Sequence, residues 1–124
     1  MRRTWIIRGF MFLQLAIFLF AASIHFDLLL EGFGHRAAGI AESIIAAVLL
    51  LGLILSWAPL RWARGAAVAT QSFGILGVIV GLFTIAVGVG PRTVLDLTIH
   101  GAMLVVLIAG LIVTLQSRPA GPSA

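Results

Sequence analysis

Apolar positions fill four long stretches of the chain, and the polar and turn-forming residues gather in three short breaks, EGFGHR, APLRWAR and GPR. A membrane-crossing helix needs about 20 mostly apolar residues. The pattern predicts four such helices at about 9–30, 37–57, 65–90 and 93–116, with Pro59 and Pro91 just past helix ends, where helices stop. The short breaks force consecutive helices to run as neighbours. The expected fold is all-α: one integral membrane four-helix bundle over residues 1–117, antiparallel and up-down. The Pro- and Gly-rich tail 118–124 is expected to be disordered.

Composition supports this reading. Of 124 residues, 61% are hydrophobic and 10% charged, with a mean hydropathy of +1.19. Soluble domains carry about 25% charged residues, so this chain could not cover a water-facing surface. That excludes a soluble enzyme, and it equally excludes a disordered chain. The net charge of +4 comes from eight arginines and no lysine. They lie at the ends of apolar runs and form no basic face, so no nucleic-acid partner is expected. Arg2, Arg3, Arg8, Arg61, Arg64 and Arg118 fall on one side of a four-span chain, and Arg36 and Arg92 on the other. The excess of arginine predicts that both termini are cytoplasmic, with Trp5, Trp57 and Trp62 at the same interface. Arginine without lysine, beside so much Ala, Gly, Leu and Val, suggests a bacterial inner-membrane protein. Arg2, Arg3 and the apolar run to Ala21-Ala22-Ser23 also resemble a cleavable leader. The run continues through IHFDLLL, however, and a retained first helix is expected.

The outer turns Gly32–Arg36 (GFGHR) and Gly88–Arg92 (GVGPR) share a pattern, which duplication of a helical hairpin would produce. The flanking helices match poorly, and ordinary turn chemistry explains the likeness.

Polar residues are segregated. All four acids (Asp27, Glu31, Glu42, Asp96) and all three histidines (His25, His35, His100) belong to the outer half. Glu31 and His35 flank a turn and can be solvated. His25, Glu42 and His100 lie about 7–11 Å inside helix ends, at 1.5 Å per residue, and an ionisable group at such depth marks a functional site by default. Helical spacing puts Asp96, His100, Met103, Leu107, Gly110 and Thr114 on one face, and Gly74, Gly77, Gly81, Thr84 and Gly88 on another. His25, Glu42 and His100 are therefore expected to hold a metal ion or small cofactor, with Asp96 orienting His100 and Thr84 beside them. Gly74, Gly77, Gly81 and Gly88 are expected to serve close helix packing. Two imidazoles and a carboxylate suit a divalent transition metal. Haem b between His25 and His100, with Gly81 and Gly101 leaving room, fits less well.

Hydrolytic chemistry has no motif here, and an enzyme is not expected. The function expected is ligand binding in an outer-leaflet pocket. The alternatives are a proton-coupled small transporter working as a homo-oligomer, and an accessory subunit of a larger membrane complex.

Overall fold

A segment in hydrocarbon must satisfy its own backbone N–H and C=O groups, and a continuous helix does so. The computed structural model describes residues 2–117, and all regular structure among them is helical: α1 Arg2–His25, α2 Arg36–Leu55, α3 Leu60–Ala86 and α4 Val94–Gln116. There are no strands among these residues. All four helices are long and apolar enough to cross a membrane. The tail 118–124, with Arg118, lies outside the described residues.

Two helices differ from their expected bounds for physical reasons. α1 starts at Arg2 instead of about residue 9, since arginines at a membrane interface can continue a helix and reach toward water. It stops at His25 instead of about residue 30. The stop is a Schellman turn: Leu28 N–H donates to the Ser23 carbonyl and Asp27 N–H to the Ile24 carbonyl, both at 2.9 Å. Asp27, at φ 56°, takes the left-handed position usually given to glycine. α3 likewise starts at Leu60, earlier than expected, and ends in the same kind of turn at Gly88, φ 88°, with Val89 N–H on the Thr84 carbonyl at 2.9 Å. Gly88 therefore lies beyond the helix and reverses the chain; it is not part of the packing stripe.

The turns that follow α1 and α3 are built differently. Gly32 also has φ 88°, but it sits well past the end of α1, whereas Gly88 directly terminates α3. Their shared letters reflect turn chemistry.

α1 packs against α2 and α4, α3 packs against the same two helices, and α1 and α3 scarcely meet across the centre. Each helix buries one stripe. On α1 it runs Ile7, Met11, Gln14, Phe18, Ala21 and His25, and on α4 Asp96, His100, Met103, Leu107, Gly110 and Thr114. The central apolar layer contains Phe18, Leu49, Val78, Met103 and Leu107. The outward faces are also apolar: Phe12, Leu76, Phe83 and Val105 are each more than 60% exposed. A bundle with apolar residues inside and out is suited to lipid.

Arginines finish three of the helices. The last carbonyls of a helix lack backbone partners and carry the negative end of its dipole. Arg64 donates to the Leu115 and Ser117 carbonyls at 3.1 and 2.9 Å, and Arg92 to those of Ile85 and Ala86 at 3.0 and 3.3 Å. Arg8 donates to the Ser56 carbonyl at 2.8 Å and lies 5.2 Å from the Trp5 ring and 4.2 Å from the Trp57 ring. Arg3 reaches the Gln116 carbonyl at 3.0 Å. These bonds gather Arg3, Arg8 and Arg64 at one end of the bundle. Replacing Arg8 by Gln should cost about 2 kcal/mol, since a charge-assisted bond and two aromatic contacts go together. Arg2→Gln, which removes an exposed side chain, should change little. Thermal unfolding in detergent compares the two.

Candidate functional site

His25 closes α1 on its buried stripe, which turns the imidazole inward between α2 and α4. Its Nδ1 meets Glu42 Oε2 of α2 at 2.7 Å, and its Nε2 meets Asp96 Oδ1 of α4 at 2.9 Å. All three side chains are buried. One imidazole therefore ties three helices together through two carboxylates.

The position of Asp96 is set locally. Thr93 caps α4: its hydroxyl accepts from the Asp96 N–H, while Asp96 Oδ2 accepts from the Thr93 N–H at 2.9 Å and from the Thr93 hydroxyl at 2.5 Å. This capping box holds the carboxylate back toward the start of the helix and leaves Oδ1 for His25. Asp96 was expected to accept from the His100 ring. It does so only through its backbone: His100 Nδ1 donates to the Asp96 carbonyl at 2.8 Å.

Hydrogen bonding fixes the protons on two histidines. A carbonyl only accepts, so His100 carries hydrogen on Nδ1, and neutral His100 presents a lone pair at Nε2. His35 is the reverse. Its Nδ1 accepts from the Ala38 N–H at 3.2 Å, capping α2, so hydrogen sits on Nε2, which donates to the Val89 carbonyl at 3.3 Å. His35 is thus a helix cap and cross-turn brace, where solvation had been expected.

The His25 cluster permits a proton count. Each nitrogen–oxygen contact needs one hydrogen, so two protons are shared by one imidazole and two carboxyls. Whether His25 is an imidazolium between two carboxylates or a neutral ring beside one protonated acid, the three groups carry a net charge of −1. In every such arrangement Glu42 Oε1 is an acceptor. It is buried and has no hydrogen-bond partner among the described residues.

Beside this cluster lies a cavity of about 180 Å³ among α2, α3, α4 and the turn at Val89–Pro91. Glu42, His100, Thr84 and His35 reach it, and Phe18, Ile45, Val78 and Met103 form apolar walls. The glycines of α3 make room for it and for the packing around it. A Cβ on Gly81 would lie 2.8 Å from His100 Nε2, one on Gly74 would crowd Leu107, and one on Gly77 would press on Ile45. Thr84 donates to the Gly81 carbonyl at 2.7 Å, so its hydroxyl oxygen is left as an acceptor.

The arrangement therefore gathers Glu42, His100 and Thr84 at the cavity and places His25 behind them. With both ring nitrogens engaged, His25 has none left for a metal or a haem iron. Among the described residues no group of three or more His, Cys, Asp or Glu is placed to hold a metal ion. Gly101, expected to make room for a porphyrin, faces open space. The capping box was legible as Thr93-x-x-Asp96, a spacing that marks a helix start. The His25–Asp96 contact depends on how α1 and α4 are rotated about their axes, which no local pattern encodes.

A second buried polar cluster lies beyond the central apolar layer. Gln14 Nε2 donates to Gln71 Oε1 at 2.8 Å, and Gln71 Nε2 donates to the Thr114 hydroxyl at 3.0 Å. Gly110 lies against both amides.

Comparison with protein-family models, with curated proteins and with solved structures finds no match for the chain. The functional reading rests on the site itself.

Proposed function

We propose that the chain is a multi-pass protein of a bacterial cell membrane, its helices alternating in direction and both termini cytoplasmic, that binds a small ligand in the cavity at Glu42 and His100. The observation that carries this is Glu42 Oε1, a buried acceptor without a donor on a residue that lines an apolar cavity. A buried polar atom left unmatched costs about 1–3 kcal/mol, and a ligand would remove that cost. The arginine excess at one end supports the orientation. The metal ion expected from His25, Glu42 and His100 is the weaker candidate, because His25 is already engaged on both sides.

Proton-coupled transport is the second reading, favoured by the inner Gln14–Gln71–Thr114 cluster stacked on the outer one. Phe18, Leu49, Val78, Met103 and Leu107 separate the two, so transport would require that layer to part, and a homo-oligomer would supply the surface to part against.

The absence of cysteine makes the test direct. In Ala38→Cys the thiol stands at the cavity, and it should react with a membrane-impermeant thiol reagent added outside intact cells. In Ser117→Cys the thiol should react only after permeabilisation. The opposite pattern would reverse the orientation, and an Ala38→Cys inert from both sides would remove the water-accessible cavity.

A further inference from the structure

The polar side chains that line the cavity are set to accept hydrogen bonds. Glu42 Oε1 accepts in each two-proton arrangement of its cluster. His100 Nε2 is a lone pair, because Nδ1 has given its hydrogen to the Asp96 carbonyl. Thr84 has spent its hydrogen on the Gly81 carbonyl, and His35 has spent both ring nitrogens on Ala38 and Val89. Among the described residues no arginine lines the space. The side chains of the cavity thus offer acceptors and no donor, next to a buried cluster carrying one negative charge. A carboxylate or phosphate would face that negative charge with no side-chain donor to offset it, and a pure hydrocarbon would leave Glu42 unmatched.

We infer that the occupant is a small organic ammonium ion, its N–H groups on Glu42 Oε1 and His100 Nε2 and its apolar body between Phe18, Val78 and Met103. This rests on the ligand-binding reading above and names the chemical class. Size agrees: an apolar cavity of about 150 Å³ accepts one benzene ring, and this one is about 180 Å³. The ammonium supplies the donors and the positive charge, bringing the site to neutrality.

The test uses the full chain in lipid nanodiscs and calorimetric titration with three probes of one size: benzylammonium, benzyl alcohol and benzoate. Benzylammonium should bind and benzoate should not, and benzyl alcohol should bind about tenfold to a hundredfold more weakly than the amine, the worth of one charge-assisted bond. Glu42→Gln should weaken the amine and leave the alcohol nearly unchanged; the three-probe comparison on the unaltered chain decides the matter if that variant does not fold. Alcohol or benzoate binding as tightly as the amine would overturn the ammonium assignment while the binding cavity stands. No binding by any of the three would overturn both.

Discussion

His25→Ala is expected to destabilise the bundle by about 3–5 kcal/mol, the cost of breaking a buried charge pair by removing one partner. The imidazole bridges Glu42 Oε2 and Asp96 Oδ1. Without it the two carboxyls face an empty space with no shared proton, and three helices lose their common tie at once. Thermal unfolding in a mild detergent should show the loss as a large fall in midpoint or as failure to accumulate. A second substitution separates the electrostatic share from the packing share. In the His25→Ala background, Glu42→Gln removes one of the stranded carboxylates and should recover part of the stability. In the native background the same change should destabilise, because it disturbs a satisfied contact. If the two effects had the same sign and size, the coupling between His25 and Glu42 would be absent.

Gly110→Val is expected to cost about 3–5 kcal/mol by a different route. A Cβ at Gly110 would run into Gln14 Nε2 and Gln71 Oε1 and come within 3.1 Å of Phe10 Cβ. Overpacking a closed core costs about 1–3 kcal/mol, and parting two buried amides leaves donors and acceptors unmatched at about 1–3 kcal/mol. Neither amide can move aside cheaply, since Gln14 Nε2 also donates to the Val106 carbonyl at 3.2 Å and Gln71 Nε2 to Ala67 and Thr114 at 3.0 Å. Gln14→Ala opens space beside Gly110, so the double variant Gly110→Val with Gln14→Ala should lose less than the sum of the single losses. Gly101→Val, on the same helix but facing open space, should be nearly neutral. Equal costs at the two glycines would show that helix propensity alone, and not the amide cluster, sets the effect.

The helices were legible because lipid imposes one demand on every residue of a span, and long apolar runs answer it without tertiary help. Their ends were less so. Nothing in the letters marks Asp27 as the residue that accepts a left-handed backbone, since glycine is the usual sign, and Gly32 and Gly34 stand further along to mislead. The buried stripe of α4 could be read at helical spacing, from Asp96 through Thr114, and the structure buries all six of its residues. The site was legible as a depth but not as a wiring. His25, Glu42, Asp96 and His100 announce themselves as polar groups at a common level. Which carboxyl meets which ring depends on the rotation of each helix, and on Thr93 drawing Asp96 back toward the helix start. Sequence proximity favoured Asp96 with His100, four residues on. The capping box and the turn of α1 gave its side chain to His25, 71 residues earlier.

The contacts of His25 also bear on how the chain is made. Its partner Glu42 is 17 residues away and its partner Asp96 is 71. During synthesis α1 and α2 are complete while α4 is still unmade. Inserted together as a hairpin, they can share a proton between ring and carboxyl and enter lipid as a neutral pair, which avoids much of the cost of a lone charge at that depth. Asp96 arrives afterwards, already bonded to its own helix start through Thr93. The negative charge of the finished cluster is thus its last polar piece delivered, and it is delivered to a socket the first two helices have built.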